Sequence, residues 1–583
     1  MKFPTAQSAL LARSLLPLAL LLAAAVTPAR AGSIGADTPW ITHEAEAMTT
    51  NGTVLGPKYG PHLIEMESSG LRCVRLEGAE GFVEFTATAD ANALVLRYSL
   101  PDSPEGTGTK GTLSLLVNGT PVRSLALDSH QSWVYGTYPF TNRPSDGKAR
   151  NFYDELRVMN LRITKGDVVR LQRVSAAEPA CTLDLVDLEQ APLPLAAPAD
   201  ALSLADFGAN GKGETDDTDA LRRCLAEAVR LDRTVWVPAG CYRLTGDILL
   251  QSKARIQGAG MWHTTFVGDP ALYNQADRRV RFRLVGKDIR LADFAILGQL
   301  DHRIDEEAND GIMGAGCSDS TISRIWIEHT KVGIWIYNGS RLRVEGCRFR
   351  NLLADGINLC VGTNNTVVEN CAARGTGDDC FAIWPAAFDQ GFIGEERQPG
   401  NNVIRHCTGR LPFLANGGAI YGGTNNRIED CEFTDITAGC GILISTSFPT
   451  ADEKRGIDNN FNGTTSVSNC HLVRCGGYDH NWAWRGALQF CMEHRSISGV
   501  LIREVVIDDT LSDAISIVAP GTHKGQGTLS NSRLENVRVN RVGLGAPERH
   551  SLYIRADVRG DVTLIQSKIE DIQNSSVQFK VLR

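Results

Sequence analysis

The 583-residue sequence predicts an all-β protein in which a parallel β-solenoid is preceded by a smaller β-sandwich. Three observations carry this prediction. A triplet of largely apolar positions recurs nine times between Leu291 and Val539. Before residue 190 the chain instead alternates apolar and polar residues in short runs between turn residues. The 57 glycines supply the many tight turns that both patterns demand. With 43% hydrophobic and 22% charged residues the chain can bury a large core, which excludes general disorder. A formal charge of −8 and the absence of any run of five Lys/Arg argue against a nucleic-acid partner.

Residues 1–31 read as a cleavable export signal. Lys2 and Arg13 precede the apolar run Leu15 to Val26, and Ala29-Arg30-Ala31 has the small-residue pattern of a signal-peptidase site. Its removal takes the formal charge to −11. The protein is therefore expected to be secreted or periplasmic, with no membrane partner, since no later stretch reaches the length of a span.

Residues 37–190 are expected to form the sandwich, with Phe82–Thr86 and Ala93–Tyr98 as representative strands. His43-Glu44-Ala45-Glu46-Ala47 and Leu113–Gly119 resemble jelly-roll carbohydrate-binding modules. In such modules residues at the positions of Glu44 and Glu46 help hold a structural calcium ion; the alternative is two ordinary edge-strand carboxylates. Residues 191–201, rich in Pro, Ala and Leu, form a linker, and 202–583 form the solenoid domain.

The solenoid domain opens on Ala205–Gly213 and an Asp/Thr-capped amphipathic helix reaching about Leu231. No GKS/T follows the glycines, so phosphate binding is discounted. The run, with Trp236–Tyr242 after it, resembles the N-terminal cap of the pectate-lyase-like right-handed parallel β-helices. Next comes the repeat, at offsets −3, 0 and +2, beginning Leu291/Phe294/Ile296 and ending Leu534/Val537/Val539. Central positions lie 22 to 39 residues apart, one three-sided coil plus insertions. Cys347, Cys371, Cys407, Cys431 and Cys470 share the central position and are expected to stack as buried apolar groups, not metal ligands, because no CxxC pair or His cluster accompanies them. Cys73 with Cys181 and Cys224 with Cys241 remain as candidate disulfides.

The chemistry is expected on two consecutive coils. Asp355 lies eight residues after Cys347, and Asp378 and Asp379 lie seven and eight after Cys371. Three carboxylates therefore share one patch, where like charges oppose joint ionisation and keep a proton available as an acid. Glycosidic hydrolysis needs that division between a protonated and an ionised carboxyl. Grouped carboxylates also build calcium sites, so a calcium-dependent polysaccharide lyase is the alternative, with Arg374 as the nearby base. A non-catalytic adhesion β-helix is a third reading, disfavoured by the complete set of three acids.

The Asp355 and Asp378-Asp379 motifs, with Gly258–Trp262, Trp326–Trp335 and Arg410–Gly417, resemble glycoside hydrolase family 87, the α-1,3-glucanases and mycodextranases. The resemblance implies inverting hydrolysis of α-1,3-glucan, or of the α-1,4 bonds of nigeran, with no cofactor required. It makes Asp355, Asp378 and Asp379 catalytic. By analogy with polygalacturonases, Asp379 is assigned as the acid and Asp355 with Asp378 as the water-activating pair. The Gly-His-Gly and basic motifs that grip a galacturonate are missing. Sugar rings stack on aromatics, so Trp262, Trp335, Tyr337, Trp384, Tyr421, Trp482 and Trp484 are candidates near the acids, with Asp310, His329, Lys331 and Asn358 as polar candidates. A polysaccharide substrate and a monomeric protein are expected.

Overall fold

The computed structural model describes residues 34–387, 397–479, 483–520, 527–546 and 548–583. The leader and Trp482 lie outside the described residues. Antiparallel strands between Trp40 and Glu189 build two facing sheets. One centres on Ala91–Ser99 and Cys181–Glu189, the other on Phe82–Thr86, Val168–Arg173 and Lys110–Val117. Their inward residues, among them Val83, Leu94, Leu96, Leu113, Leu115, Val169 and Leu171, form one buried cluster. This is the expected jelly-roll-like sandwich.

From Leu202 onward the strands of the described coils pair in parallel, apart from a small antiparallel hairpin, Ala451–Asp452 with Ile457–Asp458, in an insertion. The helix Thr218–Leu231 closes the N-terminal end by burying Ala220, Leu221, Cys224, Leu225 and Ala228. Asp216 accepts bonds from the Thr218 amide and hydroxyl at its start. One sheet runs from Asp247–Leu250 to Ile572–Asn574, with twelve strands among the described residues. The other two faces link into a continuous parallel ladder.

The repeat registers as its spacing requires. Leu291 pairs with Ile322, Ile322 with Val344, Val344 with Val368, Val368 with Ile404, Ile404 with Ile428, Ile428 with Val467, Val467 with Ile502 and Ile502 with Leu534. Each ladder cysteine is buried, and its thiol points to the carbonyl of the preceding coil's −3 residue, as from Cys371 to Val344 at 3.9 Å and from Cys407 to Val368 at 3.8 Å. All fifteen cysteines are free, so the two candidate disulfides do not form.

Sandwich and solenoid make one compact unit, Ile34–Arg583. Arg348, Arg350 and Arg374, on successive outward positions of the ladder, are buried against Glu189, Glu155 and Asp187 of the sandwich. Trp262 and Trp326 pack between the domains with Arg157 over both rings.

Candidate active site

The acids sit in the turns that lead from the sandwich-facing strands into the twelve-stranded sheet. Asp355 precedes the strand Ile357–Cys360, and Asp378-Asp379 precede Phe381–Trp384. These strands pair Ile357 with Phe381, so Asp355 and Asp379 are equivalent positions of adjacent coils. The Gly356 amide donates to the Asp379 carbonyl, and the Cys380 amide to the Asn416 carbonyl. One row of equivalent positions therefore reads Asp355, Asp379, Asn416. The turns are tight: a Cβ on Gly377 would meet the Leu353 carbonyl oxygen at 2.5 Å.

One oxygen from each of Asp355, Asp378 and Asp379 lies within 4.8 Å of the others. Asp379 accepts bonds from the Asn416 amide nitrogen at 3.1 Å, the Asn416 Nδ2 at 2.7 Å and the Tyr421 hydroxyl at 2.8 Å. The Cys440 amide donates to the Asn416 Oδ1, which turns the Asn416 Nδ2 toward Asp379. Burial, then the charge of Asp378, nevertheless pushes Asp379 up to about 7. Burial and the charges of Asp378 and Asp379 push Asp355 well above the usual carboxylate range. Asn358 Nδ2 approaches Asp355 Oδ1 at 3.5 Å, a long contact. Asp378, the more exposed member, is ion-paired to Arg303 at 2.8 Å. Two of the three acids thus favour the protonated state.

Beside the acids the outward positions of the sheet are small, at Ala382 and Ala419, and both are buried in a cluster with Tyr421 and Leu443 against which Trp384 packs. Further aromatic groups gather around them. Trp335 and Trp384 meet edge to face at 6.3 Å, and Phe448 lies 5.3 Å from both Trp384 and Tyr421. Phe448, 48% exposed, was not singled out by the sequence; it stands in an insertion with no repeat register.

Three expected sugar-binding residues lie elsewhere. Trp262 is buried between the domains and donates to Glu189 at 3.1 Å, beside an apolar cavity of about 620 Å³ that none of the acids lines. His329 is buried against Asp154 of the sandwich at 2.8 Å. Asp310 is fully buried, accepting from the Tyr273 hydroxyl at 2.6 Å and the Lys331 amide at 2.7 Å. Each has a partner where a substrate hydroxyl would otherwise bind. Lys331 likewise spends its ammonium on the carbonyls of Ile304, Asp305 and Glu307. Arg374 is locked between Glu155 and Asp187 and is not available as a lyase base. Glu44 and Glu46 lie apart from the acids. Each keeps one buried oxygen without a hydrogen-bond partner, while Ser69 and Arg410 approach the other oxygen of Glu44.

A proton held near neutrality within an acid cluster is what acid-assisted cleavage of a glycosidic bond needs, and such a cluster on this fold fits a β-helix glycoside hydrolase. Comparison with known proteins then gives the family. Residues 37–191 match the family described as α-1,3-glucanase catalytic domain D1, and residues 216–568 match α-1,3-glucanase catalytic domain D2. The chain belongs to this family, glycoside hydrolase family 87. Its fold is similar to the Agl-KA catalytic domain, with TM-score 0.83, 25% identity, and 94% and 98% of the two chains covered. It is also similar to the catalytic unit of the thermostable family 87 α-1,3-glucanase from Streptomyces thermodiastaticus strain HF3-3, with TM-score 0.79, 30% identity, and 94% and 96% covered. A third similar structure is a family 87 catalytic domain in complex with tetrasaccharides, with TM-score 0.80, 26% identity, and 94% and 99% covered. The chain spans less than half the length of the curated relatives it matches. The chain spans 8% of alginate lyase 7 of Azotobacter vinelandii, at 39% identity over 11% of this chain, and 21% of the pre-neck appendage protein of Bacillus phage phi29, at 26% identity over 30% of this chain.

Proposed function

We propose that this protein is a secreted hydrolase of α-1,3-linked glucan, with Asp355, Asp378 and Asp379 as its catalytic residues. The convergence of the three carboxylates, with a proton held at Asp379, is the observation that supports it. Similar catalytic domains have been solved with nigerose and with tetrasaccharides, which favours an α-1,3-glucan over other polysaccharides as the substrate. Asp379 serves as the acid, and Asp378 with Asp355 holds the attacking water. Burial favours the protonated form of Asp355 in the free protein, so its part in activating water requires proton loss once substrate is bound. Trp335, Trp384, Tyr421, Phe448 and Asn358 border the position of the sugar. The mutual approach of the acids to within 4.8 Å is closer than the ~6.5–9.5 Å typical of inverting pairs. Inversion is therefore tested directly, by NMR of the anomer released first.

The primary test offers α-1,3-glucan, nigeran and pectin to the wild type and to Asp378→Asn and Asp379→Asn. Hydrolysis of α-1,3-glucan by the wild type and its loss in both variants support the reading; normal hydrolysis by both variants sinks it. Activity confined to nigeran would mark a mycodextranase instead. We also propose that the orphaned oxygens of Glu44 and Glu46 hold a structural calcium ion remote from the chemistry.

A further inference from the structure

The connection 298–310, between the strands Arg290–Leu297 and Gly311–Ala315, brings Arg303 to the acids. All three guanidinium nitrogens are engaged. Nη1 donates to Asp378 Oδ2 at 2.8 Å and to the Gly377 carbonyl at 3.3 Å. Nε donates to Asp305 Oδ1 at 2.6 Å, and Nη2 to the Tyr138 hydroxyl at 2.7 Å. Tyr138 belongs to the sandwich, and Arg303 also lies over its ring, 4.9 Å from the centroid.

Both supports are themselves anchored. Asn142, four residues past Tyr138, donates to Asp301 at 3.0 Å, and Gln131 to Gln299 at 3.3 Å. On the solenoid side the Lys331 ammonium binds the carbonyls of Ile304 at 2.6 Å and Glu307 at 2.9 Å, clamping the backbone on both sides of Asp305. The ionisable groups facing Arg303 are Asp378, Asp355, Asp305, Tyr138 and Lys331, with Asp379 beside Asp378. Burial works against the Arg303 charge, but Asp378, Tyr138 and Asp305 more than offset it, so the guanidinium stays charged.

We propose that Arg303, braced by Tyr138, is a positioning residue that fixes the orientation of Asp378 in the acid cluster, so that the sandwich domain is part of the catalytic apparatus. The inference rests on the hydrolytic reading above. One oxygen of Asp378 is held by the Arg303 guanidinium and the other accepts from the Asp379 amide at 3.2 Å, so the carboxylate has one orientation within the cluster. A tie that served only to fasten the domains together would not need to end on a catalytic carboxylate, and Asn142 with Asp301 already provides one.

The experiment is the pH dependence of kcat/KM on α-1,3-glucan for Arg303→Met, Arg303→Lys and Tyr138→Phe, with thermal melts of each. The Arg303 charge also opposes protonation of Asp355, the other water-holding carboxylate, so without it that group takes up a proton at higher pH. The acid limb of Arg303→Met should therefore move up by about one pH unit. Arg303→Lys should restore much of that shift. Tyr138→Phe should move the same limb by less, with its melt unchanged. A rate loss with the acid limb in place would overturn the proposal, and so would a shift confined to the alkaline limb, which would make Asp378 the proton donor. If Arg303→Met does not fold, the other two variants decide on the same limb. Failure of the hydrolytic reading is distinct: the wild type would leave the glucan intact, or Asp379→Asn would cleave it at the wild-type rate.

Discussion

Two clusters of buried charge share one coil of the solenoid and obey opposite rules. At Arg374 the guanidinium lies 2.5 Å from Glu155 and 2.8 Å from Asp187, all three fully shielded. Burial opposes the charge of Asp187, but Arg374 and a bond from Thr42 outweigh it and hold that carboxyl below its usual range. Four residues on, Asp378 and Asp379 enter a cluster of three carboxylates in which Arg303 is the paired cation, and there burial pushes Asp379 up to about 7. The sandwich brings matching countercharge to the first cluster and one tyrosine to the second. Neutralised charge joins the two domains, and unneutralised charge keeps a proton ready for chemistry.

The largest expected effects test this contrast from both ends. Asp379→Asn removes the proton donor and one member of a like-charge cluster. Hydrolysis should fall by roughly 10²–10⁴-fold, while the thermal midpoint stays level or rises. A large loss of stability would show that the acids hold the fold together as well. Arg374→Met should do the reverse, leaving Glu155 and Asp187 buried with Arg350 as the nearest cation. Breaking one side of a buried ion pair costs about 3–5 kcal/mol, to be read from denaturant titration. An unchanged midpoint would mean that this interface does not couple the domains.

The clusters should also respond to pH with opposite signs. Asp379 is raised from 3.8 to about 7, so in that window the folded state binds more protons than the unfolded one. Its contribution to stability is therefore present below 3.8 and is lost as pH rises toward 7. Asp187 is lowered, so its contribution is present above 3.8 and is lost on further acidification. Melts of wild type and Asp379→Asn from pH 3 to 8 should differ in slope between about 4 and 7 and converge in shape below that range. Parallel curves throughout would remove the claim that Asp379 stores a proton.

What the sequence revealed follows the same division. Register was legible because apolar spacing fixes which residues stack, so the positions of the ladder cysteines and of the row holding Asp355 and Asp379 follow from the spacing alone. Residues contributed from outside the repeat were not legible. Arg303 sits on a connection, Phe448 in an insertion and Tyr138 in the other domain, and no periodicity links them to the acids. The opposite error has the same origin. Trp262 and His329 occur on coils that precede the acids, but their side chains leave the solenoid on the face that the sandwich covers. Proximity along a coil does not tell which of three faces a residue uses.

A smaller effect is expected at Phe448. Its ring is nearly half exposed while packed against Trp384 and Tyr421, a posture suited to stacking on a sugar. An aromatic contact contributes about 0.5–1.5 kcal/mol beyond area burial, so Phe448→Ala should raise KM by roughly 2- to 10-fold with kcat and stability little changed. A fall in kcat with KM constant would place the ring in support of Tyr421 and Asp379, not in the grip on substrate.

The smallest effect separates two places where carboxylates converge. The acid cluster has oxygens spaced for a cation, and Glu44 and Glu46 have two oxygens without partners. Burial raises Glu46 to about 7, so a cation there competes with a proton and should bind better as pH rises through that value. With a dissociation constant of ~1 mM, typical of extracellular modules, ~10 mM calcium would stabilise the fold by about 1.4 kcal/mol. The melt should therefore rise modestly with calcium at pH 8 and less at pH 6. Glu46→Gln should abolish the rise and Asp355→Asn should leave it intact. The converse pattern would move calcium to the acids, and the charge left there by the sandwich would then serve a metal and not a proton.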